Sequence, residues 1–140
     1  MTIRHELAAT APWVQVSTDA GDWASAGADV LLQLLGRAQW IRSFEEYVLE
    51  LAGQSLVHGP AHSSIGQEGG AVGSVLPLRS DDFVTGSHRG HHQFLAKAFG
   101  HVVVPKPGAL PELTPEVREV LRRTLAEICG GTRAAGNAVL

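Results

Sequence analysis

The chain has one cysteine, one methionine, one tyrosine and no large surplus of charge of either sign. Cys129 stands alone, so an internal disulfide is excluded. Its place at the end of a helical pattern reads as a small packed hydrophobe, and a reducing, cytoplasmic setting is expected. The 11 basic and 14 acidic residues are dispersed, leaving a formal charge of −3 and no polybasic block to follow phosphates or an anionic membrane. Nucleic acid and membrane are therefore not expected as partners. No apolar run approaches the ~20 residues of a membrane span, and the first residues lack the continuous apolar core that follows a basic start in an export signal. Internal repeats at solenoid or propeller periods are also missing.

What is present is enough for one domain: 140 residues, of which 44% are hydrophobic. Residues 1–28, rich in Ala, Thr, Ser and Asp, read as an arm. Its Trp13 and Trp23 are either staples onto the domain or contacts for a partner subunit. From 30 to 51 the apolar residues Leu31, Leu34, Leu35, Ala38, Ile41, Phe44, Val48 and Leu51 recur at steps of three and four, the spacing of one helical face. Asp29 is expected to cap this helix, Gly53 to end it in a left-handed turn, and Arg42 to pair with Glu46 one turn on.

A polar loop follows, and then the spacing of Ser64 and Gln67 suggests a capping box opening a helix through Leu76. Gly66, Gly69, Gly70 and Gly73 weaken that helix, each interior glycine costing roughly 1 kcal/mol relative to Ala. Their use is either close approach of another helix or subunit, or access for a ligand. Asp81 and Asp82 mark a turn, Phe83, Val84 and Thr85 a short strand, and Gly86 to Gly90 a polar loop leading into a helix whose apolar side is Phe94, Leu95 and Ala98 and which Gly100 ends. Four prolines between 105 and 115 make a stiff linker. Thr114 then caps, with Pro115 at the first position, a last helix bearing Val117, Val120, Leu121, Leu125 and Ile128 and closing at Gly130 and Gly131.

Six of the seven histidines, His58, His62, His88, His91, His92 and His101, fall within 44 residues, a density that asks for a chemical reading. Metal ligation is one, yet there is no His-Glu-x-x-His, and Gly59 and Pro60 interrupt the step from His58 to His62. Anion binding is another: Arg89 offers a planar fork of donors beside the amides of a helix start, an arrangement suited to a diphosphate. Solvated loop histidines or satisfied interface partners are the third.

Taken in order, the segments Ile41-Arg42-Ser43-Phe44-Glu45-Glu46, Val57-His58-Gly59, His62-Ser63-Ser64-Ile65-Gly66-Gln67-Glu68 and Ala71-Val72-Gly73 resemble the opening of the α subunits of pyruvate, branched-chain 2-oxo acid and acetoin dehydrogenases. Leu78-Arg79-Ser80-Asp81-Asp82, Gly86-Ser87-His88-Arg89-Gly90-His91 and Phe94-Leu95-Ala96-Lys97 resemble the family's next block, in which a Tyr or His precedes an Arg. The likeness is dense over residues 35–100 and loose to Gly130. It implies an α/β thiamine-diphosphate-binding fold, present in part, with this portion mainly α-helical and holding one short strand. The implied layout is an arm at 1–28, the N-terminal part of the cofactor-binding domain at 29–130 and a divergent tail at 131–140.

By the same resemblance, Arg89 would contact the diphosphate of thiamine diphosphate and His88 would flank the cofactor. His62 would face the 2-oxo acid, and His91 would support the pocket. Gln67 and Glu68 are helix-start and interface groups, since the glutamate that activates the cofactor comes from the β subunit. The family's Gly-Asp-Gly motif, which holds Mg²⁺ against the diphosphate, has no counterpart in this sequence, so the chain is expected to be inactive alone. The implied partners are a β subunit, the remainder of an α subunit and a lipoyl-bearing acyltransferase component. The implied reaction is oxidative decarboxylation of a 2-oxo acid with acyl transfer to lipoyl. A non-catalytic protein that pairs through its glycine-rich helix and tryptophan arm, and a histidine-rich metal binder, stand as alternatives.

Overall fold

Apolar residues at helical spacing must bury one stripe of each helix against another helix, and the chain does this across the connecting segments 54–67, 76–90 and 103–114. A computed structural model describes residues 16–57 and 59–130. Its elements, in chain order, are α1 (Ala20–Ala26), α2 (Ala28–Gly53), α3 (Glu68–Val75), α4 (His91–Val102) and α5 (Pro115–Ile128). Helices α2, α3 and α4 pack on one another, and α5 closes over α4. Ile41, Phe44 and Val48 from α2, Ala71, Val72 and Val75 from α3, Leu95, Ala96 and Phe99 from α4, and Val117 from α5 make a continuous core. Trp40 meets Phe99 edge to face at 5.4 Å, joining the middle of α2 to the far end of α4. No helix among the described residues is long and apolar enough to cross a membrane.

The mainly helical expectation holds, and the strand expected at Phe83, Val84 and Thr85 does not form. Those residues have no regular secondary structure and no partner strand among the described residues, and Phe83 is 93% exposed. A β-prone triplet gains little without a neighbouring ladder to satisfy its amides.

Helix α2 begins and ends differently from its sequence pattern. Its N-cap is Gly27, with no side-chain cap. Asp29 instead accepts the Gly108 amide at 2.7 Å, tying the proline-rich segment to the start of α2. Gln33 donates to the Ala109 carbonyl at 3.3 Å along the same seam. Gly36 is required there, because a β-carbon at that position would overlap the Pro111 ring. At the far end Gly53 remains helical, and Ser55 takes the left-handed conformation, φ 60°.

The inner face of α2 also departs from the apolar list. Leu35 is 59% exposed, whereas Gln33, Arg37 and Glu45 are buried. Arg37 has no ion pair among the described residues, and burial lowers its pKa.

Helix α3 starts at Glu68 with Gln67 as N-cap and no side-chain cap, so the capping box of Ser64 and Gln67 is not made; both Ser64 groups are used elsewhere. Gly69, Gly70 and Gly73 face solvent, with nothing within 4 Å of an added β-carbon among the described residues, so no helix of the described chain uses them for close approach. Helix α4 runs through Gly100 to Val102 and ends on extended Val103. Helix α5 matches its sequence signals: Thr114 accepts the Val117 amide with Pro115 at the first turn, and Gly130 closes it at φ 76°. Trp23 lies on α1, 55% exposed, while Trp13, His58 and residues 131–140 lie outside the described residues.

Deleting one methylene at the centre of this packing should register, whereas an exposed leucine should not. Ile41→Val is expected to cost about 1 kcal/mol in urea unfolding, and Leu35→Ala less than about 0.5 kcal/mol.

Candidate functional site

Two short loops with their adjoining helix starts bring the singled-out residues together. The first spans residues 59–67. Ser63 Oγ accepts the Ile65 amide at 3.2 Å, and Gly66, at φ 92°, turns its own amide onto both carboxylate oxygens of Glu68 at 3.0 Å. The second is the loop from Gly86 to Gly90 before α4. Ser87 Oγ accepts the Arg89 amide at 3.3 Å, and a β-carbon at Gly86 would run into the carboxamide of Gln93.

The loops touch at two places. The rings of His62 and His88 stand edge to face with centroids 4.9 Å apart. Ser64 Oγ donates to the Arg89 carbonyl at 3.2 Å. Ser64 also donates its amide to Glu45 Oε2 at 3.0 Å, and Glu45 Oε1 lies 3.4 Å from His91 Nδ1. All four residues singled out from the sequence, His62, His88, Arg89 and His91, thus lie around one junction of α2, the 59–67 loop and the start of α4. Arg89 is exposed and has no ion pair among the described residues, and no side chain caps α4 at Gly90. The guanidinium and the first-turn amides of α4 are therefore available to an anion.

Glu45 was not singled out in the sequence, although one signal was there. It sits four residues after Ile41 and three before Val48, a charged residue at an inward position of the apolar stripe. The carboxylate is fully buried. Burial pushes it up, while the His91 imidazole and the Ser64 amide pull it down and prevail, leaving it below the ordinary carboxylate value. His92, beside His91, is buried as well.

Glu68 stands at the start of α3, as expected, and its buried carboxylate is an ion-pair partner. Its carboxylate takes Arg42 Nε at 2.6 Å and Nη2 at 3.1 Å in a forked pair, so Arg42 joins α2 to α3 where pairing with Glu46 was expected. The Arg42 guanidinium lowers Glu68 to about 2.

A cleft of about 680 Å³ opens between the 82–90 segment, α4 and α5, with His91, Gln93, Phe94, Lys97, Thr124 and Ile128 on its wall. Lys97 Nζ donates to the carbonyls of Arg79 at 2.6 Å and Ser80 at 3.3 Å, fixing one rim. His62, His88 and Arg89 do not line the cleft, so His91 alone of the four joins it to the histidine junction. Among the described residues no group of three or more His, Cys, Asp or Glu side chains is placed to hold a metal ion. The metal reading of the histidines finds no donor set there.

Comparison with known proteins gives one segment of likeness. Over 57 residues, 41% of this chain, the sequence is 42% identical to the α subunit of acetoin:2,6-dichlorophenolindophenol oxidoreductase from Bacillus subtilis (strain 168). The matched segment spans 17% of that relative's length. No family model and no solved structure matches.

The Arg42–Glu68 pair carries a pH signature. Because the folded pKa of Glu68, about 2, lies below the usual 4.5, its contribution to stability is complete above about pH 4.5 and is lost as pH falls toward 2. Glu68→Gln should cost about 1–2 kcal/mol at pH 7. Paired urea titrations should show the gap between variant and wild type shrinking over that acid window.

Proposed function

We propose that residues 29–130 form the opening part of the cofactor-binding region of an α subunit of a thiamine-diphosphate-dependent 2-oxo acid or acetoin dehydrogenase. They would act with the remainder of such a subunit and with a β subunit. The observation that carries this reading is the junction itself. Two sequence blocks about 25 residues apart, one around His62 and one around Arg89, meet through the histidine ring pair and the Ser64 to Arg89 hydrogen bond. The segment of likeness to an acetoin oxidoreductase α subunit agrees with it.

The residues present fit the anionic end of the cofactor. Arg89 supplies a planar fork for diphosphate oxygens, and the uncapped start of α4 adds backbone donors beside it. His88, held against His62, flanks the bound group and limits how it can turn. His62 faces the 2-oxo acid, and His91 accepts or returns a proton from the wall of the cleft. When bound, thiamine diphosphate would supply the electron sink for decarboxylation, with a lipoyl-bearing acyltransferase component as the acyl acceptor. The Mg²⁺ that accompanies the diphosphate has no ligand set among the described residues, so no step here depends on it.

A second reading, an interaction module without catalysis, draws on the open glycine face of α3. Gly69, Gly70 and Gly73 have nothing within 4 Å of an added β-carbon among the described residues, and Ile65, one turn ahead of Gly69 in sequence, is 39% exposed. Such a face admits the backbone of a partner helix.

Mixing the chain with a separately produced remainder of an α subunit and a β subunit separates the two readings. With thiamine diphosphate and Mg²⁺ added, decarboxylation of a 2-oxo acid or cleavage of acetoin should appear only in the complete mixture. Arg89→Ala should lower it at least ~10-fold, the cost of about one charge-assisted contact. Complex formation without activity would favour the interaction module. The chain alone should give no tight, saturable isotherm with thiamine diphosphate and Mg²⁺.

A further inference from the structure

The fully buried Glu45 carboxylate has no part in the roles assigned above, and its two oxygens meet different neighbours. Oε2 accepts the Ser64 amide at 3.0 Å. Oε1 faces His91 Nδ1 at 3.4 Å, and both of those atoms are buried with no hydrogen-bond partner among the described residues. A neutral imidazole has one N–H and one bare nitrogen. If the bare nitrogen were Nδ1, two acceptors would face one another in a dry site, each lacking a donor, an arrangement that carries the full desolvation penalty of both groups. With the proton on Nδ1 the same contact becomes an N–H directed at a carboxylate.

We propose that Glu45 is a positioning residue that holds neutral His91 in its Nδ1–H tautomer, so that Nε2 is presented to the cleft as a proton acceptor. The His91 side chain keeps 27% of its surface exposed and stands in the wall of that cleft, whereas its Nδ1 edge is closed off. Through Ser64 the same carboxylate anchors the loop that carries His62 and the carbonyl of Arg89, so one buried charge sets the tautomer and the loop placement together. That Nε2 serves a bound 2-oxo acid rests on the function proposed above; the tautomer does not, and it is measurable on the chain with no cofactor or partner.

The test is long-range ¹H–¹⁵N correlation of the ¹⁵N-labelled chain at a pH where His91 is neutral. Wild type is expected to show a protonated Nδ1 and a bare Nε2. Glu45→Gln should invert this pattern. The single carbonyl oxygen of the glutamine is claimed by the Ser64 amide, which leaves the NH₂ group to donate to Nδ1 and moves the imidazole proton to Nε2. A role confined to packing would leave the tautomer unchanged between the two proteins, and that result overturns the proposal. So does a wild-type spectrum showing the Nε2–H form or a mixture. The wild-type spectrum decides alone if Glu45→Gln does not fold.

Discussion

Taking a carboxylate fully out of water costs several kcal/mol unless donors replace the lost hydration, and the junction around Glu45 is arranged to meet that cost. Its neighbours come from two different parts of the chain: the Ser64 amide donates from the 59–67 loop, and His91 Nδ1 of α4 stands 3.4 Å from the other oxygen. Neither can move far without leaving a buried charge unmatched. Their placement against α2 is thereby fixed, and with it that of His62, His88 and Arg89, which hang on the same loops. The Arg42–Glu68 pair repeats the device one helix over, joining α2 to the start of α3 and using the Gly66 amide to complete the carboxylate's partners.

Much of the helical framework was legible in the sequence, for local reasons. The i, i+3, i+4 recurrence along α2 and the Thr114-Pro115 start of α5 depend on residues within a turn of one another; the helix α2 and the α5 start both form, though Leu35 of the α2 stripe faces outward. The misreadings share a different cause: the deciding partner is far away in sequence. Asp29 leaves its own helix for Gly108, Arg42 leaves Glu46 for Glu68, and Ser64 serves Glu45 and Arg89 instead of a capping box. Phe83, Val84 and Thr85 had strand-forming side chains without a strand to join. Glu45 was legible in principle, as a charge at an inward position of an apolar stripe, but a periodicity count of apolar residues passes over it. The four candidate residues were singled out from the sequence, and what the fold adds is their placement around one junction, with His62 against His88 and His91 beside Glu45.

The chemistry of the junction is one-sided. Arg89 and the uncapped start of α4 offer positive and hydrogen-bonding groups to an anion, and the histidines offer groups able to carry a proton, while a carboxylate set for a divalent cation is not assembled among the described residues. The exposed glycine face of α3, with Ile65 ahead of it in sequence, and exposed Leu35 and Tyr47 on α2 leave apolar and small surfaces for the elements that would complete the junction.

The account stands or falls on what Arg89 holds. An experimental structure of the chain assembled with the remainder of an α subunit, a β subunit and thiamine diphosphate measures that directly. The prediction is a diphosphate oxygen about 2.8 Å from the Arg89 guanidinium, the length of a charge-assisted hydrogen bond, with His88 against the cofactor and His62 still on His88. A diphosphate held by other residues, with Arg89 turned to solvent, would contradict it.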